Sequence, residues 1–280
     1  MKVAIQGEPG SNSHLATRAL LGDAAELMPC SVSVDVFEAL ATTRTADAAV
    51  LPIENSLHGA VADHSDLVLE YGVVIAAELS LRIRHALMAS PGVALEDVRK
   101  VLSHPVALSQ CRRFFAAHRE IAAVPFYDTA GAVKHLMGNG ARGEAAIAAP
   151  YAAEVYGATV LATELEDDPL NFTRFLLLVR AEDAERLRPA GAVVDKMSLA
   201  FTLPHKPGSL VEALQALAAK GADLTRIESR PMPGRPWEYT FFVDLRLPAA
   251  DAADAVLAAL RRVGSSVAEL GRYAAARPVL

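Results

Sequence analysis

Cysteine and long apolar runs are scarce in this chain. Only Cys30 and Cys111 occur among its 280 residues, and they form no Cys-x-x-Cys pattern. A disulfide framework or a thiolate metal site therefore has no support, and a reduced cytoplasmic setting fits. The first apolar run breaks at Gln6, and nowhere do 18 apolar residues follow one another. We expect neither a signal peptide nor a membrane-spanning helix.

A basic surface is missing as well. The formal net charge of -6 disfavours nucleic acid and anionic lipid as partners, so an anionic substrate must be bound by local donors. The Gly-x-Ser-x-Gly pattern of serine hydrolases and the His-Glu-x-x-His pattern of zinc hydrolases are absent. His58 and His64 with Asp63 and Asp66 could be drawn as a metal site, but such a loop is more often a solvated face. We expect no metal.

The length and the order of patterns predict two domains. Short apolar strands at 3–5, 48–51, 100–102 and 145–148 each lead into a polar turn and a helix, which is typical of parallel α/β sheets. We expect two lobes around a cleft, formed by residues 1–77 with 160–180 and by residues 78–159. A polar linker at 181–196 follows, and its few apolar residues predict separable domains. Residues 197–280 read β-α-β-β-α-β, the ferredoxin-like order.

Polar side chains gather where the strand at 171–179 begins. Asn171, Thr173 and Arg174 precede the apolar run 176–179, and sites in α/β folds collect at such strand ends. Alternation would put Phe175 on the same face as Thr173 and point Arg174 away as a structural or carboxylate-pairing residue. The alternative is an ordinary strand start in which Thr173 caps a turn.

Three further turns carry polar groups. Glu54 and Asn55 follow a strand and can accept from and donate to a substrate hydroxyl, although Asn55 and Ser56 could simply cap a helix. Ser103 is a plausible cap for a helix opened by Pro105, and Gln110 could share its face. The turn 7–10 could bind an anion through backbone amides or be a plain tight turn.

Four of these motifs together resemble one family. Asn171-Phe172-Thr173-Arg174-Phe175 is similar to the Asn-x-Thr-Arg-Phe signature of prephenate dehydratases. In the family's order, the chain also carries Pro52-Ile53-Glu54-Asn55-Ser56, Ser103-His104-Pro105 and Asp128-Thr129-Ala130-Gly131. In the C-terminal part, Gly208-Ser209-Leu210-Val211 and Glu228-Ser229-Arg230-Pro231 resemble the phenylalanine-binding motifs of the ACT regulatory domain.

The resemblance implies a two-lobed, periplasmic-binding-protein-like catalytic domain followed by a ferredoxin-like ACT domain. It implies cofactor-free conversion of prephenate to phenylpyruvate, carbon dioxide and water, with regulation by phenylalanine in a homodimer or homotetramer. The implied catalytic residues are Thr173, Asn55, Gln110 and Glu54. The implied substrate-binding residues are Ser56, Ser103, Thr129, Ala130, Gly131, Asn171, Arg174 and Phe175. Arogenate is the alternative substrate, and a non-catalytic amino-acid sensor is the alternative class of protein.

Overall fold

A computed structural model describes residues 1–188, 191, 193–232, 234–276 and 278–279 of the chain. The predicted linker 181–196 includes residues 189, 190 and 192, which lie outside the described residues. The described residues form sixteen strands and ten α-helices, with four short 3₁₀ or π segments among the connections. The strands are arranged in three sheets, and the cores lie between those sheets and the helices that cover them.

The first sheet is built around strands buried on both faces. Its segments are β1 (Lys2–Gln6), α1 (Asn12–Leu21), β2 (Glu26–Cys30), α2 (Ser33–Phe37), β3 (Ala48–Asn55), β4 (Gly59–Ala60), α3 (Ala62–Tyr71) and β5 (Val74–Arg82). Strand β1 pairs in parallel with β2 and β3, as continuous apolar strands between helices do. The polar residues Glu54 and Asn55 end β3 at the edge that faces the cleft.

The second sheet forms the other lobe. Its segments are β6 (Ala86–Ala89), β7 (Lys100–Ser103), α4 (Pro105–Ser109), α5 (Arg112–Ala117), β8 (Ala122–Pro125), α6 (Thr129–Asn139), β9 (Glu144–Ala148), α7 (Tyr151–Tyr156) and β10 (Thr159–Ala162). The strand order is β10-β6-β9-β7-β8, with β7 parallel to both of its neighbours. The helix predicted to start at Pro105 is short, because it already ends at Ser109.

The strand β11 (Phe172–Val179) returns the chain to the first sheet. It inserts antiparallel between β5 and β3, as the apolar run 176–179 predicts for a buried strand. The chain passes from the first lobe to the second after Arg82 and returns after Ala162, slightly beyond the predicted boundaries at 78 and 160. The first boundary is later because β5 pairs with β11 along its whole length. Two lobes joined by two neighbouring segments make the periplasmic-binding-protein-like architecture.

The C-terminal domain has the predicted ferredoxin-like order. After α8 (Ala184–Leu187) come β12 (Lys196–Thr202), α9 (Ser209–Ala218), β13 (Asp223–Pro231), β14 (Tyr239–Arg246), α10 (Ala253–Val263), β15 (Ser266–Tyr273) and β16 (Pro278–Val279). The antiparallel order is β13-β14-β12-β15, with both helices packed on one face of the sheet. The backbone of β16 instead pairs with β5 of the first sheet.

The other face of the C-terminal sheet packs on the first lobe. Phe242, Leu270 and Tyr273 share one buried cluster with Leu176 and other residues of the first lobe. A Cβ atom added to Gly271 would collide with the backbone of Ile75, so the close approach of β15 to β5 requires glycine. The two domains therefore share a core, which the polar composition of the linker could not reveal.

The expectation of separable domains is corrected by this shared core. A chain ending at Ala181 would expose the apolar surface that Phe242, Leu270 and Tyr273 cover. We expect it to melt about 10 °C or more below the full chain, because each large buried apolar side chain contributes about 1.5–3 kcal/mol. Thermal denaturation followed by circular dichroism measures the difference. Equal melting temperatures would contradict the shared core.

Candidate active site

Asn55 and Thr173 face each other where β3 and β11 end at the cleft. The Nδ2 atom of Asn55 lies 2.9 Å from Oγ1 of Thr173 and 2.8 Å from Oδ1 of Asn171. The Oδ1 atom of Asn55 accepts from the backbone amides of Leu57 and His58, each at 3.0 Å. Those two amides fix the orientation of the side chain. The nitrogen of Asn55 therefore donates to Thr173.

The direction of this bond leaves the Thr173 proton free. A hydroxyl has one donor, and the Asn55 bond uses Thr173 Oγ1 only as an acceptor. Within the described residues no acceptor lies at the Thr173 proton, and the residue is 8% exposed. Thr173 can therefore donate to a ligand that enters the cleft.

Asn171 and Ser56 hold the beginning of β11. The Oγ atom of Ser56 accepts from the amide of Phe172 at 2.9 Å and donates to the carbonyl of Leu170 at 3.0 Å. These bonds give Ser56 a structural role. Asn171 is fully buried, and its Nδ2 atom has no hydrogen-bond partner among the described residues. Asn171 thus offers an unused donor close to Thr173.

His58 connects this site to the second lobe. Its Nδ1 atom lies 3.1 Å from Nε2 of Gln110, and its Nε2 atom lies 3.4 Å from Oγ of Ser109. The structure therefore brings the predicted residue Gln110 to the site, as the cap at the end of α4. His58 was missed as a site residue by the sequence analysis, which considered it only as a metal ligand. Its position three residues after Asn55 is the signal that could have found it.

The buried side chain of His85 holds the side chain of Gln110 in place. The two side chains join through Nε2 of His85 and Oε1 of Gln110 at 2.8 Å. Burial lowers the pKa of His85, and the bond to Gln110 only partly offsets it. A neutral imidazole that donates through Nε2 satisfies the amide oxygen and directs the amide nitrogen of Gln110 toward His58.

The far side of the cleft is closed by the turn after β1. Glu8 accepts from the hydroxyl of Tyr127 at 3.1 Å and from Nζ of Lys134 at 2.9 Å. A Cβ atom on Gly7 would lie 2.7 Å from Oδ2 of Asp128. The amide of Gly7 donates to the carbonyl of Cys30, and carboxylates surround the turn. The tight-turn alternative is therefore favoured over the anion site.

The predicted ligand residues of α6 are mostly buried. Asp128 caps the helix by accepting from the amide of Gly131 at 2.6 Å. Burial raises the pKa of Asp128, and the negative charge of Glu8 raises it further. Ala130 and Gly131 lie in the second lobe's interior, so only Thr129 is partly exposed. Because both residues are buried, Ala130 and Gly131 could contact a substrate only through backbone atoms.

Ser103 and Phe175 are corrected from ligand contacts to core residues. Ser103 is fully buried, and its Oγ atom donates to the carbonyl of Ile147 at 2.5 Å. His104, and not Ser103, caps α4. Phe175 is 2% exposed and packs with the buried core residue Ile5. Alternation along β11 predicts which face of the strand Phe175 occupies, but it does not predict that Phe175 is buried in the core.

Arg174 and Glu54 form an ion pair away from Thr173. Arg174 points away from the cleft, and its guanidinium contacts the carboxylates of Glu54 at 3.6 Å, Glu78 at 3.3 Å and Asp244 at 2.5 Å. Glu54 is therefore on the Arg174 face and makes no bond to Thr173. The carboxylate pairing predicted for Arg174 is confirmed, and a bulge after Arg174 brings Glu54 into register with it. The substrate roles of both residues stay predictions.

The metal site that could be drawn in the loop after β3 does not form. His64 bonds to the carbonyl of Pro52 and to Ser33, while Asp63 and Asp66 pair with Arg230. Across the described part of the chain, no group of three or more metal-ligating side chains comes together. Within the same residues, no helix has the length and apolar character needed to cross a membrane.

Of the motifs predicted to bind phenylalanine, the first begins α9, while Glu228 and Arg230 of the second lie on the opposite face of the C-terminal sheet. Gly208, with a φ of +87°, begins α9 on the outer face of the sheet. In the first turn of this helix Ser209 is buried, Leu210 is half-buried and Val211 is 57% exposed. Glu228 pairs with Arg226, and Arg230 pairs with Asp66 of the first lobe. Ser229 and Pro231 are exposed. A ligand that contacts both motifs would have to sit at an edge of the sheet or between two chains.

Comparison with known proteins agrees with this architecture. The family model for prephenate dehydratase matches residues 3–183. Arogenate dehydratase/prephenate dehydratase 2 of Arabidopsis thaliana is 36% identical over 283 residues, which cover 98% of this chain and 72% of that protein.

Two solved structures are similar over almost the whole length. The prephenate dehydratase of Arthrobacter aurescens, solved in complex with L-Phe, has a TM-score of 0.85 and 32% identity, and the match covers 100% of this chain and 92% of that one. GqqA, described as a novel type of quorum quenching acylase, also has a TM-score of 0.85 and 32% identity, with 98% of each chain covered. The chain belongs to the prephenate dehydratase family.

Proposed function

We propose that this dehydratase acts on prephenate and forms phenylpyruvate in the biosynthesis of phenylalanine. In that reaction the bond between the ring and its carboxylate breaks, and its electron pair enters the ring. The ring hydroxyl leaves from the opposite position with a proton, as water. Aromatisation drives the reaction, so the protein must mainly stabilise the departing hydroxyl.

The observation that supports this proposal is that the Thr173 hydroxyl is still able to donate a hydrogen bond. Asn55 donates to Thr173 Oγ1 at 2.9 Å and thereby leaves the hydroxyl hydrogen available to a substrate in the cleft. Threonine is too weak an acid to protonate hydroxide alone, but an oriented donor stabilises developing negative charge on the leaving oxygen. Oriented hydrogen-bond donation of this kind contributes about 10²- to 10⁴-fold in rate.

The neutrality of the site favours loss of the carboxylate. Asn55 and Asn171 place uncharged amides beside Thr173, while the guanidinium of the next residue, Arg174, is paired with Glu78 and Asp244. A cation beside the departing carboxylate would stabilise its charged ground state and oppose loss of carbon dioxide. The outward direction of Arg174 therefore supports the mechanism.

Prephenate is the substrate in this proposal, and arogenate is the alternative substrate. The two differ in a keto and an ammonium group on the side chain opposite the leaving hydroxyl, which the groups around Thr173 do not contact. Purified protein given each substrate should show a higher kcat/KM for prephenate. Faster turnover of arogenate would make the protein an arogenate dehydratase. Turnover of neither would favour the amino-acid sensor.

An acyl-transfer activity like that named for GqqA finds no support in this geometry. A threonine nucleophile requires a neighbouring base that accepts its proton. Asn55 instead donates to Thr173, and within the described residues no base contacts the hydroxyl. Thr173 is therefore arranged as a hydrogen-bond donor and not as a nucleophile.

We also propose that phenylalanine binds the C-terminal domain between two copies of this chain. The Oγ atom of Ser209 is buried without a partner among the described residues, and nothing lies within 4 Å of a Cβ placed on Gly208. The edge strand β13 exposes Ile227, and an edge strand presents unpaired backbone groups with which a second chain can pair. On this basis we propose a homodimer or homotetramer, and the scarcity of cysteine supports the proposal of a cytoplasmic setting.

Calorimetry tests the regulatory part of the proposal. Phenylalanine should bind the wild-type chain and change its turnover several-fold, since allosteric coupling is typically about 1–3 kcal/mol. Ser209→Ala should bind phenylalanine about 10-fold more weakly, because it removes a buried hydrogen-bonding group. Ser266→Ala is the matched control in the same domain, where the hydroxyl bonds Thr202. A wild-type chain that does not bind phenylalanine would contradict the regulatory proposal alone.

A further inference from the structure

Four charged side chains are buried between the first lobe and the C-terminal domain. Arg174 and Glu78 come from the first sheet, and Lys196 and Asp244 come from the C-terminal sheet. Arg174 contacts Asp244 at 2.5 Å and Glu78 at 3.3 Å, while Lys196 contacts Glu78 at 2.8 Å. Their side chains are at most 14% exposed. The two positive and two negative charges balance, as buried charges must.

This buried cluster lies one residue from the catalytic hydroxyl. Arg174 points into it, while the preceding residue, Thr173, points toward the cleft. The pairing of β11 with β3 is interrupted at the same place, because Arg174 is opposite Glu54 whereas Phe175 is opposite Pro52. On its other edge β11 pairs with β5 without interruption from Phe172 to Leu177, so the bulge weakens only the contact with β3. The contacts of Arg174 can therefore adjust how Thr173 faces Asn55 across that edge.

Arg226 forms a second link to the same cluster. It lies opposite Asp244 on the neighbouring strand, pairs with Glu228, and donates to Oγ of Ser65 at 3.0 Å. Burial would raise the pKa of Asp244, but the charges of Arg174, Arg226 and Lys196 outweigh it and lower that pKa. Arg226 therefore interacts with two carboxylates, Glu228 and Asp244.

We infer that Arg174 is a positioning residue through which the C-terminal domain sets the orientation of Thr173, and that Arg226 competes with it for Asp244. An ammonium group bound by Glu228 would release Arg226 toward Asp244. Arg174 would then lose part of its contact with Asp244, and the bulged edge between β11 and β3 would let the Thr173 side chain move away from Asn55. The regulatory half of this inference rests on the phenylalanine binding proposed above.

The positioning role is tested without phenylalanine. Arg174→Gln and Asp244→Asn should each lower kcat about 10-fold or more while KM for prephenate stays within about 2-fold, because misplacing a catalytic group costs rate and not binding. The double variant should be no slower than the slower single variant, since both changes break one contact. A rise in KM with normal kcat, or additive losses in kcat, would overturn the role.

Two further variants separate this role from general destabilisation. Arg174→Lys keeps the charge beside Asp244 and should recover part of the kcat that Arg174→Gln loses. Asp66→Asn removes another ion pair between the domains, the one with Arg230 at 2.7 Å, and should keep wild-type kcat. Equal losses in Asp66→Asn and Asp244→Asn would show that domain docking in general is responsible. Circular dichroism melts confirm that each variant is folded at the assay temperature.

Arg226→Gln tests the competition. This variant should keep kcat within about 2-fold of wild type and still bind phenylalanine by calorimetry, but the effect of phenylalanine on rate should be lost, as expected when a coupling residue is removed. A response of wild-type size would overturn the competition. A wild-type chain that turns over neither substrate would instead refute the proposed function. An active wild-type chain that does not bind phenylalanine would refute only the regulatory half.

Discussion

Replacing Thr173 by alanine should lower kcat about 100-fold or more, because it removes a hydroxyl that accepts from Asn55 and keeps its own hydrogen available to donate to the substrate. KM should change less, since the bond strengthens as negative charge develops on the leaving oxygen. Thr173→Val should show the same loss, because valine keeps the branched shape. Thr173→Ser should keep more activity, since its hydroxyl can still accept from Asn55. Steady-state rates with prephenate measure all three.

The outcome that would contradict this assignment is near-normal turnover in Thr173→Val. That result would leave the amides of Asn55, Asn171 and Gln110 as the groups that stabilise the leaving oxygen. The Thr202→Ala change is a suitable control, because it removes an equivalent strand threonine that bonds only Ser266. It should leave kcat unchanged.

The elements that position this site could be predicted from local sequence. The apolar run 176–179 predicts a buried strand, and the polar residues before it predict a site at its start; β11 confirms the strand. Asn55 and Thr173 could be proposed as neighbours only through the family resemblance, because β3 and β11 are separated by more than one hundred residues. Their pairing is set by the topology of the sheet, which no local pattern contains.

The partners of the charged residues could not be predicted. Alternation indicates that Arg174 points away from Thr173, but its partner Asp244 lies 70 residues later in another domain. Lys196 stands in a polar stretch that predicts an exposed linker, yet it is buried against Glu78. A charged residue has the same local pattern whether it is solvated or paired, so burial of this kind follows only from how the domains dock.

Asn55→Asp should be less active than Asn55→Ala, an order that only the direction of the Asn55 to Thr173 bond predicts. Aspartate has nearly the same shape, but its outer oxygen would accept the Thr173 proton and remove it from the cleft. It would also face Oδ1 of Asn171 and the carbonyl of Phe172, which now accept from Asn55. We expect kcat to fall about 100-fold or more. In Asn55→Ala, the hydroxyl of Thr173 could still donate to the substrate, although it would be less well oriented.

The pH dependence of Asn55→Asp distinguishes this cause from damage to the fold. The surrounding acceptors disfavour the carboxylate, so the pKa of the new side chain should be raised above the ordinary aspartate value. Once protonated, it can donate to Thr173 as the amide of Asn55 does, and kcat should therefore rise as the pH falls through that pKa. Wild type and Asn55→Ala lack this group and should show no such rise. A flat profile for Asn55→Asp, or activity above that of Asn55→Ala at neutral pH, would mean that Asn55 does not act by donating to Thr173.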